Sequence, residues 1–228
     1  MATMRQPPPG AVFEPLTSYR GYPVAEMIER SRAFAADLAR RRTVRQFSDR
    51  PVPRPVIEAC LEAAGSAPSG AHLQPWHFVV VSEPGLKRQI RTAAEAAEQE
   101  FYATAPDEWL ETLAPLGTDA HKPYLETAPY LIAVFAQRYG LTPEGARRTH
   151  YYVMESVGIA TGLLIAALHH AGLVSLTHTP NPMGFLSQLL ERPANERPVM
   201  LVVTGYPASD AVVPRLRRKP LEAVATFR

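Results

Sequence analysis

Apolar residues recur near the helical period at Val24, Met27, Ile28, Phe34, Ala35 and Leu38, predicting a first helix that starts after Pro23 and ends in Arg40, Arg41, Arg42. A second helix is predicted over residues 54–64, with Pro55 in the first turn, where its missing N–H costs nothing. The run GSAPSGAHLQP is too rich in Gly, Pro and Ser for regular structure, and it opens into HFVVV, a buried strand. After Pro84 the segment LKRQIRTAAEAAEQEFY is strongly helical. Pro106, Pro115 and Gly117 then break the pattern, so the stretch up to Pro123 reads as a lid-like connection and residues 98–123 as the lid. APYLIAVFAQ predicts a second buried strand, and residues 150–171 a long helix that is apolar nearly all round and needs cover on every side. Gly158 and Gly162 would admit a second backbone, so this helix is expected to pack inside the subunit and against another copy. LVSLT and PVMLVVTGY supply two more strands with a short helix between them.

Strands and helices in this order do not alternate as βαβ units, so the expected class is α+β, with helices around a small mixed sheet. Pro7, Pro8, Pro9, Pro15 and Pro23 mark residues 1–23 as an extended arm, ahead of one domain over residues 24–228. The tail from Pro214 is basic and expected to be extended. No Gly-x-Gly-x-x-Gly or Walker loop is present.

With 46% hydrophobic and 20% charged residues the chain is expected to be soluble and folded. A net charge of +2 leaves no broad basic field for a nucleic acid or an acidic membrane. The apolar run over residues 157–168 is shorter than the roughly twenty residues that cross a bilayer. A single cysteine, Cys60, excludes an intramolecular disulfide, suits a reducing compartment and points to the cytoplasm; its apolar helical neighbours read as a buried structural thiol. The seven histidines make no metal-binding pattern, so no metal is expected.

Four groups of residues could carry chemistry. Arg41, Arg42, Thr43 and Arg45 gather guanidiniums and a hydroxyl at a helix end, a set that suits a phosphate-bearing cofactor but also an ordinary solvated helix terminus. Arg218 lies in a second basic cluster with the same two readings. The loop Ser69-Gly70-Ala71 presents a hydroxyl and backbone donors that could approach a planar ligand. Glu98 and Tyr102 share a helix face, and with Lys122 they would complement the ammonium and carboxylate of an amino acid.

Taken in order, RRTVRQF, APSGAHLQPWHFVVV, the Glu98/Tyr102/Lys122 set, HYYVMESVGIATGLLIAAL, AGLVSLTHTP and VTGYP followed by RRKPL resemble the nitroreductase-like flavoproteins, and within them the halotyrosine-dehalogenating branch, the iodotyrosine deiodinases. The resemblance runs from about Arg41 to the C-terminus and suggests a soluble bacterial relative. It implies a nitroreductase-like, domain-crossed homodimer that binds FMN between subunits, reduced by NAD(P)H directly or through a partner reductase. It also implies reductive dehalogenation of 3-iodotyrosine to tyrosine and iodide through one-electron flavin steps. By the same resemblance, FMN is held by Arg41, Arg42, Thr43, Arg45, Ser69, Thr177, His178, Thr179 and Arg218, with the Thr179 hydroxyl near N5. His178 stands where the family more usually has a small hydroxyl residue. Substrate is implied to meet the Ala71 N–H at its phenolate and Glu98, Tyr102 and Lys122 at its zwitterion, making Thr179 and Ala71 the catalytic pair. A general NAD(P)H-dependent nitro- or quinone reductase and a non-catalytic flavin-binding amino-acid sensor remain the alternatives.

Overall fold

The structure, a computed structural model, describes residues 10–228, so residues 1–9 of the expected arm lie outside the described residues. The chain divides at Ala39/Arg40 into two units, whereas the sequence reading puts the boundary at residue 24. In the first, residues 10–23 form no helix or strand, and α1 (Val24–Arg40) follows. None of its residues is buried: Val24, Met27, Ile28 and Phe34 are exposed.

The second unit is built on a four-stranded sheet in the order β1 (Trp76–Val81), β2 (Tyr130–Gln137), β6 (Glu196–Gly205), β5 (Val174–His178). Every neighbouring pair is antiparallel. The parallel component of the expected mixed sheet is confined to one bridge, Thr43 to Ser175. The class is α+β, as the element order predicts.

β2 is a continuous apolar run because both of its faces are covered. Leu131, Ala133 and Phe135 point into a core closed by α3 (Pro84–Thr104), α5 (Tyr124–Thr127) and α7 (Gly184–Leu189), which contribute Ile90, Ala94, Leu125 and Leu186. Ile132, Val134 and Ala136 point to the other side, where α2 (Arg54–Gly65) and α6 (Val153–His170) supply Ile57, Cys60, Val157, Leu164 and Leu168. The period-two alternation of one strand therefore separates the two cores. Cys60 is buried, and burial pushes its thiol pKa up.

Two expectations are corrected, and α6 leaves open in this chain the face expected to meet another copy. The stretch between Pro106 and Pro123 is not merely a connection, because it holds α4 (Asp107–Leu113) and a 3-10 turn over Ala114–Leu116. Asp107 and Glu108 in the first turn favour a helix start there. A hairpin of β3 (Tyr139–Leu141) and β4 (Arg147–Thr149) follows β2, with Arg147 stacked 4.4 Å from the Tyr139 ring centroid. Finally, α6 is not covered on all sides. Met154, Ile159 and Leu163 are exposed, and a Cβ at Gly158 or Gly162 would meet no atom within 4 Å, so neither glycine serves a contact inside the described chain. At 18 residues and a mean hydropathy of 1.3, α6 has the length and apolarity of a membrane span, more than the apolar run at its centre suggests. It nonetheless packs on α2 and the sheet through its buried residues, as a core helix does.

Leu131 is fully buried at the centre of the sheet. Leu131→Ala is expected to cost about 2–5 kcal/mol of unfolding free energy, measured by urea denaturation; a loss under about 1 kcal/mol would contradict the packing described.

Candidate active site

Helix α3 begins firmly because the Glu83 carboxylate accepts the N–H of Gly85 and Leu86 and Pro84 occupies the first turn. Alanine, glutamate and glutamine carry it through five turns before Pro106 ends it. Glu95, Glu98 and Tyr102, spaced by three and four residues, lie along one face. Beyond α4, Gly117 takes a left-handed φ of 60°, and the chain turns back to bring Lys122 to that face.

Lys122 is only 3% exposed. Its ammonium lies 3.2 Å from Glu98 Oε2, donates to Thr118 Oγ1 at 3.1 Å and to the Asp119 carbonyl, and sits 5.7 Å from the centroid of the Tyr102 ring. Structure thus unites the three residues expected to hold a zwitterion. They line a cavity of about 400 Å³ together with Phe101, Trp109 and Leu113, three apolar side chains that the sequence reading did not single out. Trp109 and Leu113 lie on α4, whose helix the surrounding Pro and Gly residues conceal, and Phe101 reads only as a helical apolar residue.

Arg45, Thr177, His178 and Thr179 line the same cavity. The reason is a short stitch: Val44 N–H donates to the Ser175 carbonyl at 3.3 Å, and Phe47 bridges Pro207, so residues 43–47 run beside β5 and the exit from β6. The C-terminal tail is drawn to the same segment. Arg42 donates to the Pro214 carbonyl, Arg218 to the Arg41 carbonyl at 2.5 Å, and the Val212 N–H to Gln46 Oε1 at 2.7 Å. The two basic clusters of the sequence therefore meet. Thr43, Arg45 and Gln46 line a second cavity of about 390 Å³ with residues 212–214 and the 3-10 turn after α4.

His178 is buried between these surfaces. Its ring meets Tyr124 edge to face at 5.9 Å, Nδ1 lies 3.4 Å from the Tyr124 hydroxyl, and Nε2 has no partner. Burial, then the charges of Lys122 and Arg45, pull its pKa from 6.5 down to about 3, so the imidazole is neutral at working pH. Burial, then Glu98, pushes the Tyr124 phenol above its ordinary value, keeping it protonated.

Ser69 and Ala71 line neither cavity. They belong to a loop in which Ala71, His72 and Gln74 have φ of 49°, 54° and 48°, a run of left-handed non-glycine residues of the kind that clusters at functional sites. Ser69 Oγ accepts the Gln74 N–H at 2.9 Å, and Gly70 packs so closely that a Cβ would fall 2.7 Å from the Tyr151 carbonyl. Nitrogen of Gly70 donates to Ser156 of α6 at 3.3 Å. The expected site residues thus form two groups, one around the cavities and one at the start of α6. Among the described residues no cluster of three His, Cys, Asp or Glu could hold a metal.

This arrangement coincides with a family. Residues 38–206 match the nitroreductase family, and the chain belongs to it. An iodotyrosine deiodinase from Haliscomenobacter hydrossis is 55% identical over 94% of this chain and 93% of its own. Iodotyrosine deiodinase 1 of Homo sapiens is 45% identical over 91% of this chain and 72% of its own. Among solved structures, an oxidised iodotyrosine deiodinase bound to FMN and 3-iodo-L-tyrosine superposes with a TM-score of 0.75 at 31% identity, covering 85% of this chain and 100% of that one.

The depressed pKa of His178 has a signed consequence. In the unfolded chain the ring takes a proton below about 6.5 and in the folded one only near 3, so stability is lost as pH falls through that window. Melting temperature followed from neutral pH toward about pH 4 is expected to fall more steeply for the native protein than for His178→Asn; parallel curves would show that the ring is not held neutral.

Proposed function

We propose that the protein is an FMN-dependent reductive dehalogenase of halotyrosines that converts 3-iodo-L-tyrosine to L-tyrosine and iodide and acts as a homodimer in the cytoplasm. The observation that carries this reading is the Glu98, Tyr102 and Lys122 set in the wall of a cavity that also carries Arg45, Thr177 and Thr179. A nitroaromatic or quinone has no ammonium for the buried carboxylate and no carboxylate for the buried ammonium, whereas an α-amino acid offers both charges. The relatives named iodotyrosine deiodinase, and the related structure with FMN and 3-iodo-L-tyrosine, support the same substrate and cofactor.

The residues present fit FMN. Guanidiniums of Arg41, Arg42, Arg45 and Arg218 and the Thr43 hydroxyl supply permanent charge and donors for a phosphate dianion. The partnerless Nε2 of His178, in the cavity wall between Thr177 and Thr179, offers the ring edge of a ligand a hydrogen-bonding atom. When bound, FMN would supply the two electrons, one at a time, with NAD(P)H as the source of reducing equivalents, directly or through a partner reductase. The overall change breaks a carbon–iodine bond, forms a carbon–hydrogen bond at the same ring carbon with one proton, and releases iodide. Glu98 takes the substrate ammonium and Lys122 its carboxylate, while Tyr102 and Trp109 cover the ring and exclude water. Thr179, at the exposed end of β5, holds the flavin ring through its hydroxyl.

Ser69 and Ala71 line neither cavity of their own chain, and in this reading they meet the site of a second copy, which is the argument for the dimer. The same loop leads to the exposed apolar face of α6, with Met154, Ile159 and Leu163 beside two glycines, and a second α6 would bury that face. In this reading the partner's loop supplies the Ala71 N–H to the phenolate oxygen, which favours ionised substrate.

Anaerobic mixing of the reduced holoprotein with 3-iodo-L-tyrosine is expected to reoxidise the flavin with release of iodide; binding without reoxidation would make the protein a sensor instead. Lys122→Ala should retain FMN and weaken iodotyrosine binding by roughly ten- to a hundredfold, the range of a lost charge-assisted hydrogen bond, and an unchanged dissociation constant would contradict the assignment. Thr179→Ala should also keep FMN while dehalogenation slows by about 10²-fold or more. Undiminished turnover would remove Thr179 from the chemistry.

A further inference from the structure

Glu95 lines neither of the two cavities, yet its carboxylate is heavily engaged beside Lys122. Its Oε1 accepts the Lys122 backbone N–H at 2.6 Å and Arg91 Nε at 2.8 Å, and His121 Nδ1 lies 3.6 Å away. Arg91 reaches on to Glu126 Oε1 at 3.4 Å, and its Nη2 lies 3.3 Å from His121 Nε2. The Glu95 side chain is 18% exposed. Burial works against its charge, but the Lys122 N–H and Arg91 outweigh it and hold the carboxyl below the usual range.

The division of labour on Lys122 is unusual. Its side-chain ammonium is held by Glu98 and by Thr118 and Asp119 of its own loop, while its main chain is held by Glu95, one helical turn before Glu98 on the same face. The loop that returns from α4 is therefore attached to α3 at its backbone, independently of the ammonium. An ammonium that must leave Glu98 to meet a ligand carboxylate can swing on its four-carbon stem while its Cα stays in place.

We infer that Glu95 is a positioning residue for the zwitterion clamp: by fixing the main chain of Lys122 a single turn from Glu98, it keeps the cationic and anionic groups at the separation an α-amino acid head spans. The inference rests on the halotyrosine reading for its ligand and on the contacts of Glu95 alone for its mechanics. It goes beyond substrate contact, since Glu95 acts only through Lys122. It follows that Glu95 discriminates between ligands with and without an amino-acid head, and leaves the flavin and the aromatic half of the site untouched.

The test uses the FMN-loaded protein and two readouts. In the absence of ligand, hydrogen exchange at the Lys122 amide is expected to accelerate at least tenfold in Glu95→Ala. By flavin fluorescence, the dissociation constant for 3-iodo-L-tyrosine is expected to rise about tenfold, with that for 2-iodophenol and the FMN content unchanged. Glu95→Gln, which keeps an acceptor oxygen, should restore most of both. Glu95→Asp keeps the charge for Arg91 but withdraws its oxygen from the Lys122 N–H, so it should show the same selective loss and serves if the alanine variant does not fold. Unchanged exchange at Lys122 in both Ala and Asp variants, or equal weakening of the two ligands, would overturn the inference. Native protein that binds both ligands equally, with the Lys122 amide still responding, would instead refute the halotyrosine reading and leave the positioning of Lys122 standing.

Discussion

An ammonium taken almost wholly out of water needs oxygen atoms in place of the solvent it loses. Lys122 meets that condition with a carboxylate, a hydroxyl and a carbonyl, and the fold around it supplies all three from two pieces of chain. Helix α3 brings the carboxylate, and the loop after α4 brings the hydroxyl and the carbonyl. Breaking the pair by removing one partner would strand a buried charge, so the two pieces are bound to each other as long as no ligand intervenes. A zwitterion is the class of ligand that can take over both halves at once.

The sheet fixes where this pair lies relative to the basic segment. Because β2 is covered on both sides, helices occupy both of its faces, and β5 is left at the sheet edge next to residues 43–47. That edge position puts Thr177, His178 and Thr179 in the wall of one cavity, with the buried His178 ring packed edge to face on Tyr124. Tyr124 follows Lys122 by two residues and begins α5, whose Glu126 carbonyl, with that of Ala128, accepts from the buried Lys87 ammonium of α3, each at 2.8 Å. Two lysines therefore tie the C-terminal end of this segment to α3, Lys122 through Glu98 and Lys87 through the carbonyls of Glu126 and Ala128.

Much of this was legible in the sequence, for identifiable reasons. β2 reads clearly since its six central residues, buried on alternate faces, leave no polar position between Tyr130 and Gln137, and α3 reads clearly since its composition favours helix regardless of packing. The zwitterion trio was found because two members share a helical face and the third is one of only three lysines. Helix α4 escaped because its signals are local to seven residues between breakers, and with it went Trp109 and Leu113. The β3–β4 hairpin escaped for a different reason: a three-residue strand reading Arg-Arg-Thr has no apolar alternation, and it holds through a guanidinium on Tyr139 and three ladder pairs. Glu95 carried the right spacing from Glu98, but nothing in the sequence says that a main-chain N–H from residue 122 will arrive there. The apolarity of α6 is legible in the sequence, but periodicity alone does not say which of its faces its own chain covers and which it leaves open.

The account turns on one geometrical claim, that an amino-acid head sits between Glu98 and Lys122 while its ring lies toward residues 177–179. A crystal structure of the FMN-loaded protein with 3-iodo-L-tyrosine measures it directly. The account predicts the ligand ammonium within hydrogen-bonding distance of Glu98 and its carboxylate within reach of Lys122, with Glu95 still holding the Lys122 N–H. A structure in which the ligand is bound but those side chains face bulk solvent, or still pair only with each other, would contradict it.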